Sequence, residues 1–394
     1  MATPTTSPRP WHRVGLPLLV LRLLGQGAEF VGFVVLARRL DPSDFGVLSV
    51  AFLAARYGGL VGDWGASVRG VRDVAALASP AAVRSLQRRR IEVTLGLAAL
   101  YIAVVVVAGQ PGLAPLAVTL LSRGLSRDWM ALGEEKGLRA GGPPALQGLL
   151  IAAGSVFVAS ATSAAVMLAL AYACGLAVSL LANPLPPSTG RARLSVDGWL
   201  LAAIFADQVT LSTDTILIAA LRSTREAGIY AAVYRIPNAW LTVIGLIVVG
   251  TVPATTRAIT QHPRAIRSAS KRNLRIGLVA ALLVVVSIPP TVLATSVLFG
   301  DAYRSGQTAL AILLLAAAVN AVSASLHPVY LALARDRAQA AISCSAAALN
   351  VLANLAVIPA FGMVAAASTT LGAQLLLLCA FAVGVSRAIE RAPT

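Results

Sequence analysis

Charged and aromatic residues are scarce in this chain of 394 residues, at 12% and 5% of the sequence. Soluble domains carry about a quarter of their residues as Asp, Glu, Lys or Arg. Here 57% of residues are hydrophobic and the mean hydropathy is +0.79. About twelve spans of ~20 residues would use roughly 240 positions and leave about 150 for loops and ends. The composition therefore indicates a polytopic membrane protein and excludes most large soluble enzymes.

Cysteine and histidine are also few, with three of each. The cysteines are far apart in apolar stretches, without the pattern of a disulfide framework or a metal site. The histidines lack the spacing of a zinc ligand set or a serine-type triad. We therefore expect no metal site and no enzyme active site. The residues concerned are Cys174, Cys344, Cys379, His12, His262 and His327.

A phosphate-binding loop for ATP is missing as well. A Walker A motif needs Gly-Lys followed by Ser or Thr, but Lys136 follows Glu135 and Lys271 follows Ser270. Active transport would then draw on an ion gradient or on removal of the substrate. We expect no cofactor, and H+ or Na+ is the candidate coupling ion.

Hydropathy places twelve apolar spans along the chain and predicts an all-α integral membrane protein. The first six spans form a predicted bundle over residues 1–190, and the last six form a second bundle over residues 191–394. The spans lie at residues 14–38, 45–67, 92–109, 111–128, 146–160, 163–183, 198–221, 227–252, 274–298, 306–333, 338–358 and 361–385.

The basic residues between the spans predict the orientation, because short cytoplasmic loops are enriched in Arg and Lys. With two spans between Leu146 and Asn183, 24 of the 32 basic residues lie on the side of the amino terminus and five lie opposite. With one span there, the counts become 15 and 14. Twelve spans in the cytoplasmic (inner) membrane, with both termini in the cytoplasm, are the better interpretation.

The net charge of +16 does not predict a nucleic-acid partner, because such a partner needs one folded basic surface. The basic residues lie instead in short connections between apolar stretches. The run from Arg84 to Arg90 is expected to face anionic headgroups, which makes membrane lipids a predicted partner.

A faint internal repeat occurs at a shift of 182 residues. It places Asp44–Gly46 on Glu226–Gly228 and Arg89–Arg90 on Lys271–Arg272. The two six-span halves share one orientation, so the repeat predicts a pseudo-two-fold axis along the membrane normal.

Apart from charges at the ends of the spans, seven charged residues remain inside them, all in spans 1, 2, 7 and 8. At about 3 kcal/mol for a charge at the centre of a span, lipid-facing positions would cost ~20 kcal/mol together, more than a typical net stability of about 5–15 kcal/mol. They must face one another or water. Six form pairs seven residues apart, which return to the same helix face. The pairs are Arg22 and Glu29, Arg56 and Asp63, and Asp207 and Asp214, and the seventh residue is Arg235.

The simplest assembly is one hydrated cavity at the interface of the two repeats, where transporters commonly bind substrate. The six residues predicted to bind substrate there are Arg22, Glu29, Arg56, Asp207, Asp214 and Arg235. The alternative is that these charges form structural ion pairs between helices.

Ion coupling or gating is a second expected role inside the membrane. Asn320 and His327, seven residues apart in span 10, are included in this group. Asp63 is also included, although its position at the inner end of span 2 is equally typical of a residue at the membrane interface. The complete set for coupling or gating is Glu29, Asp63, Asp214, Asn320 and His327.

Four stretches, distributed from end to end of the chain, carry a family pattern. They are Leu36–Gly46 (LARRLDPSDFG), Gly62–Gly65 (GDWG), Thr213–Arg235 (with TDTILI and AGIYAAVYR) and Asn350–Ala367 (with IPAFGMVAAA). Together they resemble the Wzx-like polysaccharide and oligosaccharide flippases of the multidrug/oligosaccharidyl-lipid/polysaccharide exporter superfamily.

The resemblance implies a flippase that moves a polyprenyl-pyrophosphate-linked saccharide across the membrane by alternating access, for cell-surface polysaccharide biosynthesis in bacteria. It also brings in a polysaccharide polymerase and chain-length machinery as candidate partners. One departure from the family is that three cations face four acids in the expected cavity. Two alternatives stay open: a cation-coupled multidrug antiporter of the same superfamily, and an integral-membrane glycosyltransferase or polymerase using Asp41 or Asp44.

Overall fold

The computed structural model describes residues 11–63, 65, 70, 71, 74, 79–187, 198–262, 265–333 and 335–390, and within these ranges the regular secondary structure is helical. Helices satisfy every backbone hydrogen bond within one segment, which the hydrocarbon core of a bilayer requires. The protein is an all-α membrane protein, as the composition predicts.

The first half of the chain contains seven described helices and one 3-10 segment. Its third helix begins at Pro80, directly after the capping residue Ser79. Proline is tolerated there because the N–H groups of the first turn have no partner within the helix. The elements are α1 (Trp11–Arg39), α2 (Pro42–Asp63), α3 (Pro80–Val107), the 3-10 segment Pro111–Leu116, α4 (Ala117–Leu125), α5 (Asp128–Gly133), α6 (Gly137–Ser155) and α7 (Ala161–Ala182).

The second half contains seven further described helices, two of which are longer than one membrane crossing. The elements are α8 (Gly198–Leu221), α9 (Thr224–Gln261), α10 (Ile266–Leu293), α11 (Thr295–Phe299), the 3-10 segment Asp301–Gly306, α12 (Gln307–Ala324), α13 (His327–Ala332) and α14 (Asp336–Glu390).

Nine helical segments of the described chain are long and apolar enough to cross a bilayer. The last of them contains the predicted spans 11 and 12, because Gly362 has a non-helical backbone (φ 60°, ψ −143°) that divides α14. Predicted span 4 coincides with the shorter run of residues 111–125, and predicted span 5 overlaps α6, a helix of 19 residues; neither is among these nine segments. The uncertain run between Leu146 and Asn183 is two helices, since α6 ends at Ser155 and α7 begins at Ala161.

The chain folds into two compact units. The first unit comprises the described residues of Met1–Gly32, Ala54–Val158 and Thr162–Asp197, and the second comprises those of Phe33–Leu53, Ala159–Ala161 and Gly198–Thr394. The two six-helix bundles over residues 1–190 and 191–394 stay a prediction. The compact units differ from them because the α1–α2 hairpin, Phe33–Leu53, groups with the second unit.

Two glycines explain how the α1–α2 hairpin packs within the second unit. A Cβ on Gly46 of α2 would overlap the carbonyl oxygen of Thr224, and a Cβ on Gly228 of α9 would overlap the carbonyl oxygen of Pro42. The hydroxyls of Ser43 and Thr224 lie 2.8 Å apart beside this crossing. These two glycines are the pair that the shift of 182 residues relates, so the two turns that the predicted repeat equates are in mutual contact.

Side chains of the hairpin add further anchors to the same unit. The guanidinium of Arg38 donates to the carbonyls of Leu298 (2.7 Å) and Val297. The buried phenol of Tyr303 donates to the carbonyl of Ala37 at 2.8 Å. These bonds satisfy carbonyls at the ends of α1 and α11 that lack helical partners.

Glu226 holds the bend in α14. Its carboxylate accepts a 2.6 Å hydrogen bond from the backbone N–H of Met363 and pairs with Arg222 at 3.2 Å. Arg222 in turn donates to the carbonyl of Pro359 at 3.0 Å. The left-handed φ of Gly362 favours glycine, and a Cβ there would overlap the Glu226 carboxylate. The bend therefore depends on a glycine, a proline and an ion pair together.

The glycine crossing predicts a difference between two substitutions in α9. Gly228→Ala should destabilise the protein by about 1–3 kcal/mol, because the new methyl must displace backbone atoms of α2. Gly245→Ala is the matched control, since its Cβ would meet nothing within 4 Å, and it should be neutral or stabilising by up to ~1 kcal/mol. Thermal unfolding of the purified protein in detergent measures both. Equal shifts would contradict the close contact.

Candidate functional site

Asp214 of α8 is fully buried and accepts three hydrogen bonds. Its Oδ2 accepts from the phenol of Tyr230 at 2.8 Å and from the hydroxyl of Thr370 at 2.5 Å. Its Oδ1 accepts from the amide of Asn354 at 2.7 Å. Donors from α9 and from α14 on both sides of its bend at Gly362 therefore converge on one carboxyl group. These donors replace the water molecules that a charged acid would otherwise need.

A second layer of amides and hydroxyls surrounds this carboxyl group. Asn354 also donates to Oδ1 of Asn350 at 3.1 Å, and the hydroxyl of Thr369 donates to Oδ1 of Asn354. Asn350 and Asn354 are one helical turn apart, so their side chains share a face of α14. Oxygen is the ligand that hard cations prefer, and a carboxyl group can also hold a proton. The Asp214 cluster, made of Asp214, Tyr230, Asn350, Asn354 and Thr370, can therefore change its charge by binding a small cation or a proton.

A small cleft, with room for about one water molecule, adjoins this cluster within the second unit. Thr370 lies in its lining with Gln374, Tyr234 and Pro237. The side-chain oxygen of Gln374 accepts a 3.0 Å hydrogen bond from the amide of Asn320. The cleft thus brings Asn320 close to the surroundings of Asp214.

His327 and Asn320 do not share one continuous helix face. α12 ends at Ala324 and α13 begins at His327, so the seven-residue spacing crosses a break. The His327 ring packs edge-on against Phe381, with ring centres 4.6 Å apart. His327 is therefore placed in an aromatic cluster, away from the hydrogen bond of Asn320 to Gln374.

Asp207 and Arg235 complete the predicted site residues of the second unit. Asp207, two helical turns before Asp214 on α8, lies near the hydroxyl of Ser343 in α14. Arg235 of α9 is half-buried, and its guanidinium carbon lies 3.4 Å from the ring centre of Phe33. Neither contact could be found from the sequence, because both partners are far away along the chain.

In the first unit, Asp63 forms an ion pair with Arg90 of α3. The carboxylate and guanidinium are 2.6 Å apart, and each side chain is only 3% exposed. Arg90 also donates to Oε1 of Gln87 and to the carbonyls of Ser126 and Arg123, each at 3.0 Å. The pair is therefore buried and held by further hydrogen bonds, the arrangement in which a buried charge is tolerated.

This pair corrects the sequence interpretation of the run Arg84 to Arg90. Hydropathy predicts a loop at the lipid headgroups and a span that begins near residue 92, but α3 begins at Pro80. Arg84, Arg88 and Arg89 are exposed on the helix, whereas Arg90 is buried. Hydropathy averaged over a window does not distinguish one buried arginine from its exposed neighbours. The sequence does contain a helix-start signal, Ser79 followed by Pro80, which predicts that the helix begins before Arg84.

The other three predicted residues of the first unit lie at intermediate or exposed positions. Arg22 is half-buried and interacts electrostatically with Arg123 and Asp128. Glu29 is half-buried on α1, and Arg56 is exposed on α2. Sequence reasoning misses Arg123 and Asp128 as neighbours of Arg22, because they lie about a hundred residues further along the chain, around the end of the short helix α4.

No family model matches the sequence, and a search of curated proteins gives no match. Solved structures do match in fold over nearly the whole chain. An inward-facing multidrug resistance MATE family transporter of the MOP superfamily has a TM-score of 0.66 at 13% identity, covering 97% of this chain and 99% of the other. An outward-facing one has a TM-score of 0.61 at 13% identity, covering 96% of each chain. The lipid II flippase MurJ, inward closed, has a TM-score of 0.66 at 11% identity, covering 95% and 87%.

The buried pair predicts that Arg90→Ala lowers the free energy of unfolding by about 3–5 kcal/mol, because it leaves Asp63 charged and without this partner. Arg88→Ala on the same helix is the matched control. Arg88 pairs with Glu92 at 2.8 Å, but the two side chains are 66% and 59% exposed, and such pairs contribute only about 0.2–0.5 kcal/mol. Detergent unfolding measures both. A double variant, Asp63→Leu with Arg90→Met, should recover much of the loss.

Proposed function

We propose that this protein is a flippase of the MOP superfamily that moves a polyprenyl-pyrophosphate-linked oligosaccharide across the cytoplasmic membrane by alternating access. The export would serve cell-surface polysaccharide biosynthesis, with both termini in the cytoplasm and with a polymerase and chain-length machinery as partners. The transporter fold and the family pattern of the sequence support this proposal.

The observation that carries the proposal is the balance of charge among the membrane-embedded groups. Asp63 is neutralised by Arg90, and Asp214 is enclosed by protein donors. When Asp63 is set aside with Arg90, and Asp214 with the proton or Na+ that it is proposed to bind, the three cations against four acids that the sequence suggests become three against two. Asp128 and Arg123, the neighbours of Arg22, add one charge of each sign. The other predicted substrate-binding residues are Arg22, Arg56 and Arg235 on the positive side of this balance and Glu29 and Asp207 on the negative side.

A positive balance suits an anionic substrate better than a cationic drug. Guanidinium groups bind phosphate oxygens through two parallel hydrogen bonds, so we assign the pyrophosphate to the three arginines. Carboxylates accept hydrogen bonds from hydroxyl groups, so Glu29 and Asp207 are assigned to the saccharide. A multidrug antiporter would need the opposite balance.

The Asp214 cluster is assigned to ion coupling. A proton on Asp214, or Na+ held by Asp214 with Asn350, Asn354 and Thr370, would neutralise a buried charge. Since α8, α9 and both arms of α14 all contribute to this cluster, a change of its charge acts on their packing together. An ion that binds one conformation better than another shifts the population between them, which is how a gradient could drive the exchange.

Two substitutions test the transport assignment. Arg56→Ala and Asp214→Ala should each leave an inserted protein that fails to restore surface polysaccharide in a flippase-deleted host. Arg88→Ala is the control, since it removes an exposed cation from outside the proposed site and should complement. Normal complementation by both variants would contradict the proposed roles. Ethidium efflux by the wild-type protein without complementation would favour the multidrug antiporter.

Ion coupling predicts that Asp214→Asn makes transport insensitive to the driving gradient. In proteoliposomes loaded with a fluorescent polyprenyl-pyrophosphate oligosaccharide, the wild-type rate should respond to an imposed Na+ or proton gradient. The asparagine variant has nearly the same size and shape as the wild-type side chain but cannot be charged, so its transport rate should no longer respond to either gradient. Asp301→Asn, an exposed carboxylate before α12, is the control. An unchanged response of the Asp214 variant to both gradients would exclude this acid as the coupling site.

A further inference from the structure

Arg84 and Arg127 of the first unit lie close enough for their positive charges to repel each other. Arg84 is on the second turn of α3, and Arg127 directly precedes α5. Of the residues that the structure describes, no acid forms an ion pair with either guanidinium. Asp128, the acid next to Arg127 in the chain, lies near the hydroxyl of Ser179 and interacts with the charges of three other arginines. An anion between Arg84 and Arg127 would therefore replace a repulsion by two attractions.

Backbone carbonyls beyond the end of α7 hold both arginines. Nε of Arg84 donates to the carbonyl of Pro186 at 2.7 Å, and Nη1 of Arg127 donates to the carbonyl of Asn183 over a longer 3.4 Å. The backbone N–H of Arg127 also donates to the hydroxyl of Ser179 at 2.9 Å. Carbonyls at the end of a helix lack helical partners and carry partial negative charge. These bonds keep the two cations together in spite of their repulsion.

One apolar cluster joins the three chain segments that meet at these arginines. Leu185, which lies between the two accepting carbonyls in the chain, packs against this cluster. The buried members are two residues of α3, on either side of Arg84, and two residues of α5, just after Arg127: Val83, Leu86, Trp129 and Met130. Close packing fixes the backbones that carry the two guanidinium groups. An anion that bridges them would thus meet a site that is already formed.

The two guanidinium groups keep donors for a ligand. Arginine has five N–H donors, and the hydrogen bonds described above use one side-chain donor of each residue. Arg84 is exposed and Arg127 is half-buried. The structure gives Arg84 no second acceptor among the described residues. A phosphate oxygen accepts such donors through charge-assisted hydrogen bonds, which are the strong ones.

The face of α3 that carries Arg84 continues into a surface that faces lipid. Leu95 and Ile102 follow Arg84 by 11 and 18 residues, spacings that return to the same face of a helix. They are 52% and 42% exposed, and in a membrane span such side chains contact acyl chains. An anion at Arg84 therefore lies at the end of an apolar stripe. A phospholipid can cover both parts, whereas free phosphate can cover only one.

We propose that Arg84 and Arg127 together bind the phosphate of an anionic phospholipid, whose acyl chains lie along α3. A phosphate diester has one negative charge shared by two free oxygens, so each guanidinium can bind one oxygen. In phosphatidylcholine the ammonium of the headgroup balances this charge, so a lipid such as phosphatidylglycerol is preferred. The site uses none of the residues assigned to the transported substrate, and it is independent of the proposed function.

Native mass spectrometry of the full-length protein in detergent measures the apparent affinity for added lipid. Wild-type protein should bind phosphatidylglycerol at least about fivefold more tightly than phosphatidylcholine with the same acyl chains. Arg84→Ala and Arg127→Ala should each weaken phosphatidylglycerol binding by about tenfold. The double variant should lose much less than the product of the two effects, because a single arginine no longer forms a bridge.

Arg88→Ala is the matched control for these variants. Arg88 lies one turn further along α3 and is exposed, but its charge is balanced by Glu92 at 2.8 Å. Its removal should change the affinity for phosphatidylglycerol by less than about twofold. Equal losses from Arg84→Ala and Arg88→Ala, or effects of Arg84→Ala and Arg127→Ala that simply multiply, would indicate a general attraction of the basic surface and would overturn the site.

Arg84→Glu separates loss of binding from loss of folding. A glutamate beside Arg127 replaces repulsion by attraction, so the unfolding temperature without lipid should stay the same or rise. The affinity for phosphatidylglycerol should nevertheless fall by at least about tenfold. A lower unfolding temperature in the absence of lipid, or retained phosphatidylglycerol binding, would contradict the proposal.

Inorganic phosphate distinguishes a lipid from a free anion. Phosphatidylglycerol should raise the unfolding temperature of the wild-type protein through these two arginines, and inorganic phosphate at the same concentration should have little effect. An equal effect of inorganic phosphate, lost in Arg84→Ala, would overturn the assignment to a lipid. Failure of the protein to export an oligosaccharide would contradict the proposed function alone, since lipid binding is measured on the purified protein without that substrate.

Discussion

The high free energy of a charge in hydrocarbon is the constraint on which the arrangement of this protein depends. A bilayer offers no water to an ionised side chain, so each such group needs a partner or a wet surface. Asp63 and Asp214 meet this requirement in different ways. Asp63 has a cation, Arg90, at 2.6 Å, whereas Asp214 has neutral donors from three other positions.

These two solutions differ in what they permit. An ion pair keeps both members charged, because removing either charge exposes the other to a low dielectric. A carboxyl group held by hydroxyls and an amide can instead gain a positive charge without leaving another charge unbalanced. The first arrangement suits a permanent connection between α2 and α3, and the second suits the change of charge that we propose for Asp214.

Much of this arrangement could be predicted from the sequence, and the exceptions have physical reasons. Helical spans follow from apolar length, and Asp214 stands out because an acid within such a span is costly. Its partners Asn354 and Thr370 are more than a hundred residues away, so only the folded chain shows which donors reach it. Hydropathy places Arg90 in a loop because its polar neighbours dominate the average over a window. Phe33 carries no signal, since an apolar residue in an apolar helix looks like any other.

The crossing of Gly46 with Gly228 has a consequence for how such a chain could diverge. Each glycine accommodates the turn that precedes its counterpart, so the contact has the self-complementary form of an isologous interface. If one half were paired with an identical copy, a single codon change would place two new methyl groups at the same crossing. A fused chain encodes the two positions separately and meets such changes one at a time. In this chain, Gly46 and Gly228 can therefore be substituted separately, and each substitution places one new methyl group at the crossing.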